Sequence, residues 1–211
     1  MFTGIVAAVG RIESIEALGD AAAGVRLTID AGSLGLDDVA PGDSIAINGA
    51  CMTAVRIEGR RFAVDVSRES LSKTAGLDRL GEVNLEKAMR LSDRIGGHLV
   101  TGHVDGLGTV VAFEPVGESW RLVVRAPAGL GRFLAYKGSI TVNGVSLTVN
   151  RVGDGALGTD VEINLIPHTI EVTTLRHLAP GAPVNLEIDL IARYVARMLD
   201  AGQVPGAATT S

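Results

Sequence analysis

The sequence predicts an all-β fold of two tandem six-stranded Greek-key barrels with short helices, followed by a C-terminal α-helix. Three observations predict it: one phrase is written twice along the chain, apolar residues mostly alternate, and Gly or Asn-Gly turn signals recur about every 8 to 12 residues. "NGACMTAV" stands at 48–55 and "NGVSLTV" at 143–149.

The repetition extends in order along the chain. "FTG" at Phe2 to Gly4 is answered by "VTG" at Val100 to Gly102, and "SIAINGACMT" from Ser44 by "SITVNGVSLT" from Ser139. "VDVSRESLSKT", ending at Thr74, matches "INLIPHTIEVT", ending at Thr173, and "VNLE" at Val83 to Glu86 recurs at Val184 to Glu187. The offset drifts by only a few residues, as loop insertions between two copies of one domain produce. The copies are expected at 1–97 and 98–187, with a helix at 188–201 and a disordered tail at 202–211.

Within each copy, Val25, Leu27 and Ile29, then Phe62, Val64 and Val66, and likewise Val161, Ile163 and Leu165 alternate with polar residues, the pattern of strands with one wet face. About six such strands are too many for a small flat sheet, so each copy closes on itself. Short helices are expected near Ser70 to Ala75, Glu86 to Asp93 and Leu130 to Tyr136. From Ile188, the residues Ile191, Val195, Met198 and Leu199 fall at helical spacing, an amphipathic helix of about three turns.

Composition narrows the function. A chain of 211 residues, 46% hydrophobic, suffices for one large core or two small ones. Net charge of −5 without a basic run argues against nucleic acid, and no apolar run approaches the ~18 residues of a membrane span. One cysteine forms no internal disulfide, so the cytoplasm is the expected compartment.

Candidate chemistry sits in the repeated phrase, which places Cys51 and Thr53 in one copy and Ser146 and Thr148 in the other on one strand face. The Ser and Thr hydroxyls suit a polyol or the carbonyls of a heterocycle; alternatively they satisfy local backbone. Asp65, Ser67 and Glu69 point to the polar side of their strand or its exit. His98, His103 and Asp105 lack metal-site spacing, so no metal is expected. "GDGALG" at Gly153 to Gly158 fits a hairpin loop instead of a dinucleotide site. The residues alone reach two similar barrels with two similar ligand sites.

Taken together, "MFTGIV", "GDSIAINGACMT", "GGHLVTGHVDG", "KGSITVNGVSLTV", "LIPHTI" and "VNLEIDLIARYV" resemble the alpha-chain type of riboflavin synthase over residues 1 to about 200. The resemblance implies a reaction in which two molecules of 6,7-dimethyl-8-ribityllumazine exchange a four-carbon unit, without any cofactor. It implies a homotrimer with sites between the N-terminal barrel of one chain and the C-terminal barrel of the next, and, as in some members of the family, leaves lumazine synthase open as a further partner. One lumazine would be held by Gly4, Ile5, Val6, Ser44, Cys51, Met52, Thr53, Asp65, Val66, Ser67, Arg68, Glu69 and Ser70. The other would be held by Gly102, His103, Val104, Lys137, Ser146, Leu147, Thr148, Asn164, Leu165, Ile166, Pro167, His168 and Thr169.

Carried onto this chain, His103 with Thr148 is the candidate pair for proton transfer, Ser146 and Cys51 place the added nucleophile, and Asp189 orients them. "SRES" at Ser67 to Ser70 departs from the family's pattern by putting Arg68 where a Pro is expected, which leaves the shape of that loop open. Aromatic residues are scarce, so stacking is expected mainly between the two ligands, with Phe2 as the protein's contribution. The rival reading is a non-enzymatic lumazine or flavin carrier of the lumazine protein type; a structural oligomerisation module explains the tail helix but not the repeated pockets.

Overall fold

Residues 1–19 and 23–202 are described by the structure, a computed structural model; the expected tail lies, apart from Gly202, outside them. The first copy supplies β1 (Ala8–Ala17), β2 (Val25–Asp30), β3 (Ser44–Ile47), β4 (Ala50–Glu58), β5 (Arg61–Val66), helix α1 (Arg68–Lys73) and β6 (Gly81–Lys87). The second supplies β7 (Gly106–Val116), β8 (Ser119–Ala126), β9 (Ser139–Val142), β10 (Val145–Gly155), β11 (Gly158–Leu165), helix α2 (Pro167–Val172) and β12 (Pro183–Ile188), and helix α3 (Leu190–Gly202) follows. Each set of six strands closes into an antiparallel barrel, β1-β2-β5-β4-β3-β6 and its equivalent β7-β8-β11-β10-β9-β12.

Alternation decides what each barrel buries. Leu27, Ile29, Phe62, Val64 and Leu85 fill the first, and Leu122, Val124, Val161, Ile163 and Leu186 the second, all fully or almost fully buried. Closure leaves no open sheet edge. The segment "GDGALG" joins β10 to β11 as a hairpin, with Gly155 opposite Gly158.

The Asn-Gly pairs make the tight turns from β3 to β4 and from β9 to β10. Asn48 and Gly49 (φ 46° and 83°) and Asn143 and Gly144 (φ 48° and 81°) are all left-handed, the backbone a two-residue turn needs to match strand twist. The two turns then dock against each other: a Cβ on Gly49 would lie 2.7 Å from the Gly144 nitrogen, and one on Gly144 2.8 Å from that of Gly49. Around them Asn84 Nδ2 donates to the Asn143 carbonyl and Asn185 Nδ2 to the Asn48 carbonyl, both at 2.9 Å. Asn48 Oδ1 and Asn143 Oδ1 accept the backbone N–H groups of Asn84 and Asn185 at 2.8 Å. A polar, approximately two-fold junction therefore joins the barrels.

Three helical expectations meet different outcomes. α1 begins at Arg68, where the Ser67 hydroxyl caps it by accepting the Ser70 N–H, so Arg68 in place of Pro does not prevent a helix matching α2. The stretch from Leu130 is a 3-10 turn over Ala128–Phe133. No helix forms over Glu86 to Asp93: Glu86 and Lys87 complete β6, and Ala88 and Met89 continue by donating to the carbonyls of Ser44 and Met1. Strand pairing there outweighs the local pattern.

α3 starts after Ile188, which is buried as the last residue of β12, with Asp189 Oδ1 accepting the Ile191 N–H. Ile191, Tyr194, Val195, Met198 and Leu199 are 50 to 74% exposed, while Arg193 anchors the helix by donating to Asp105 Oδ1 at 2.6 Å. No helix among the described residues is long and apolar enough to cross a membrane.

Candidate active site

Two short segments, Phe2 to Val6 and Val100 to Val104, build the site by crossing over the junction. Phe2 and Val100 form an isolated antiparallel bridge, and Phe2, fully buried, packs with Val100 and Ala46. No face of Phe2 is left for a ligand, against the expectation that it stacks on one.

Beyond the crossing, each segment is gripped from two sides. Glu86, on β6, accepts the Thr3 N–H and hydroxyl at 2.7 Å and the Gly4 N–H at 3.0 Å. Glu187, its repeat on β12, accepts the Thr101 N–H at 2.6 Å, the Thr101 hydroxyl at 2.7 Å and the Gly102 N–H at 2.9 Å. Burial pushes both carboxyls above the ordinary glutamate range, while these three donors favour the ionised form. The glycine carbonyls face the other way: Gly102 O accepts the Cys51 N–H of the first barrel and Gly4 O the Ser146 N–H of the second, each at 2.7 Å.

This crossing exchanges part of the expected grouping. Gly102, His103 and Val104 line a cavity of about 210 Å³ with Ala50, Cys51, Met52, Glu69, Ser70, Lys73 and Thr74, and Val104 packs on the first barrel's core. Val6 packs on the second barrel's core, and Gly4 lies against Ser146. The segment around Gly4 thus belongs with Ser146 and the segment around His103 with Cys51, the reverse of the expected sets. The cause is the antiparallel bridge, which carries each segment past its own barrel. His103 consequently shares a cavity with Cys51, and within one chain no hydrogen bond among the described residues joins it to Thr148.

Beside Ser146 lies His98, whose Nδ1 is 2.7 Å from Ser146 Oγ. His98 is 9% exposed and its Nε2 is buried without a partner. Burial lowers its proton affinity and holds it neutral, while Asp189 pulls the other way. Cys51 and Ser146 occupy equivalent places, half-buried, each with its N–H on a crossing glycine.

The other expected residues divide by burial. Met52, Val66, Leu147 and Leu165 point into the cores. Thr53 and Thr148 are exposed opposite Ser44 and Ser139. Ser44 and Ile5 border a separate open cleft of about 730 Å³ with Lys87, Arg90 and Gly96. Asp65 pairs with Arg26 at 2.7 and 2.8 Å, a surface bond that lowers its pKa, and Glu69 pairs with Lys73 at 2.7 Å. Lys137, at φ 64°, is exposed and donates to Asn150 at 3.3 Å. Asn164, Ile166, Pro167 and His168 are exposed along the exit of β11 and the start of α2, with Thr169 half-buried behind them. No group of three or more His, Cys, Asp or Glu side chains among the described residues is placed to hold a metal ion.

A family model described as "Lumazine binding domain" matches residues 3–88 and 101–189. The riboflavin synthase of Mycobacterium tuberculosis (strain ATCC 25618 / H37Rv) is 47% identical over 208 residues, covering 94% of this chain and 98% of that protein. That of Bacillus subtilis (strain 168) is 41% identical over 201 residues, covering 94% and 90%. The chain belongs to the riboflavin synthase family. Among solved structures, LumP complexed with riboflavin matches with a TM-score of 0.76 at 28% identity, over 89% of this chain and 99% of that one. LumP complexed with 6,7-dimethyl-8-(1'-D-ribityl) lumazine matches with a TM-score of 0.76 at 26% identity, over the same shares.

The two lumazine-binding copies in this member of the riboflavin synthase family share a backbone plan but differ in some of their site side chains. Cys51 stands where the other copy has Ser146, and His103 where it has Ile5. Sequence reasoning missed Glu86, Glu187 and His98 as parts of the site. The unchanged "VNLE" carried the signal for the two glutamates; His98 lies just before the second crossing segment, outside the repeated phrases.

Proposed function

We propose that the chain is a riboflavin synthase, converting two molecules of 6,7-dimethyl-8-ribityllumazine into riboflavin and 5-amino-6-ribitylamino-2,4(1H,3H)-pyrimidinedione by four-carbon transfer. The observation that carries the reading is the pair of equivalent half-sites in a chain whose full-length relatives are named riboflavin synthase. A cavity of about 210 Å³ falls below the roughly 300 to 1,000 Å³ of a complete ligand site. It suits one ring system, so a pair of ligands needs a second half-site from elsewhere.

That second half is proposed to come from a neighbouring chain. The exposed apolar stripe of α3 supports a trimer, in which Ile191, Val195 and Met198 bury against their copies at about 1.5 to 3 kcal/mol each when fully covered. One half-site presents Cys51, Ser70, Gly102, His103 and Val104; the other presents Gly4, Val6, His98, Lys137, Ser146, Thr148 and Thr169. Across such an interface His103 of one chain meets Thr148 of the next, as proton removal from the C7 methyl of the donor requires. Ser146, held by neutral His98 near Asp189, places the nucleophile added at C7 of the acceptor. Orienting two reactants supplies up to about 7 to 11 kcal/mol of the barrier, so positioning is assigned the largest share.

The reaction so proposed requires no metal, flavin or nicotinamide, and the single cysteine suits the cytoplasm. The test is incubation of the purified chain with 6,7-dimethyl-8-ribityllumazine and a chelator. Appearance of the riboflavin absorbance supports the enzyme. Tight lumazine binding without riboflavin formation overturns it in favour of a carrier.

A further inference from the structure

We propose that the two barrels are cross-wired, so that Glu187 of the second barrel is the positioning residue for the Cys51 half-site of the first, and Glu86 of the first barrel for the Ser146 half-site of the second. This deepens the proposed site and rests on Cys51 and Ser146 belonging to it.

Two equivalent chains of contacts make the connection. Glu187 receives three donors from Thr101 and Gly102, and the peptide so fixed turns its Gly102 carbonyl to the Cys51 N–H at 2.7 Å and carries His103 into the same cavity. Glu86 fixes Thr3 and Gly4 likewise, and the Gly4 carbonyl takes the Ser146 N–H at 2.7 Å. No hydrogen bond among the described residues joins either glutamate directly to the residue it positions. Both are buried, at 8% and 3% exposure, and neither forms an ion pair with a Lys, Arg or His side chain among the described residues.

Close packing makes the linkage stiff. A Cβ on Gly102 would lie 2.6 Å from Cys51 Cβ, and one on Gly4 would lie 2.7 Å from Ser146 Cβ, so each peptide moves only if the opposing strand moves too. A carboxylate is the acceptor this geometry demands, because one oxygen takes the threonine N–H and hydroxyl and the other takes the glycine N–H. A glutamine would set its NH2 against one of these donors, displacing the peptide while preserving size.

The experiment reads the wiring by thiol chemistry, without substrate. Cys51 is the only cysteine, so iodoacetamide reports on the first half-site; Ser146→Cys in a Cys51→Ala background reports on the second. Glu187→Gln is expected to change the alkylation rate at Cys51 about fivefold or more and leave the thiol introduced at position 146 unchanged, and Glu86→Gln to do the reverse. Thr101→Val and Thr3→Val, which remove one donor and keep the carboxylate, give the same crossed pattern more weakly and serve if the glutamine variants fail to fold. If each glutamate instead alters the thiol of its own barrel, or both thiols equally, the cross-wiring is wrong. Because alkylation needs no turnover, that failure is separate from any failure of the proposed reaction.

Discussion

Replacing Asn185 by alanine should loosen the junction between the barrels more than either barrel. Asn185 is 2% exposed; its Nδ2 donates to the carbonyls of Asn48 and Ala75 at 2.9 and 3.2 Å, and its Oδ1 accepts the Ala75 N–H at 2.7 Å. Alanine leaves the buried Asn48 carbonyl without its amide donor, while half-buried Ala75 reaches water more readily. At about 1 to 3 kcal/mol for each buried group left unpaired, the expected loss is about 2 to 4 kcal/mol. For a chain of this size that lowers Tm by roughly 5 to 15 °C. Because the loss falls on the contact between two cores, calorimetry at fixed protein concentration should show one transition broadening or separating into two. Asn164→Ala, at an exposed position, should stay within about 0.5 kcal/mol of the parent. A single Asn185→Ala transition at the parental temperature would refute the junction's energetic role.

Truncation after Asp189 should leave folded barrels of monomer mass by light scattering with little activity; an active trimer would overturn the role given to α3. Gly102→Ala places a Cβ 2.6 Å from Cys51 Cβ at φ 78° and should cost more than about 1 kcal/mol by urea unfolding, whereas Gly35→Ala, with nothing within 4 Å, should not. His98, held below its ordinary value of 6.5 by burial, makes stability fall as pH drops below that value, since the unfolded chain takes up the proton first. His98→Gln should flatten that acid-side slope; the raised carboxyls of Glu86 and Glu187 act with the opposite sign, so the comparison is variant against parent, and an unchanged slope would exclude His98 as its source. Cys51 and His103 doubly replaced, or His98 and Ser146 doubly replaced, should each be nearly inactive, while verified mixed trimers recover riboflavin formation; hybrids no better than either folded, trimeric parent would place both half-sites within one chain.

The barrels, their order and the amphipathic tail were legible because alternation and repetition are local or self-referential signals. Leu27, Ile29, Val64 and Ile163 announce their faces by neighbours two residues away. Glu86 to Asp93 misled because the contacts that extend it, to Ser44 and Met1, are distant in sequence. The Asn-Gly pairs were readable as turns, but their docking on each other depends on positions in separate copies. For the same reason the partnership of His103 with Cys51, and of Gly4 with Ser146, could not be read from spacing: the bridge between Phe2 and Val100 creates both. Copy-to-copy matching groups each segment with its own copy, whereas within one chain the Gly4 segment lies against Ser146 and the His103 segment against Cys51.

The near-symmetric junction has a consequence for how different the two pockets can become. Two separate single-barrel chains meeting at the same turns would form a symmetric dimer, and every residue near one pocket would be repeated in the other. Linking the copies covalently removes that obligation. The glutamates and asparagines that hold the crossing stay paired, Glu86 with Glu187 and Asn48 with Asn143, while Cys51 stands in one copy where Ser146 stands in the other, and His103 has Ile5 as its counterpart. A reaction between two identical molecules must make one a donor and the other an acceptor, and a fused duplication can assign those unequal parts before either ligand binds.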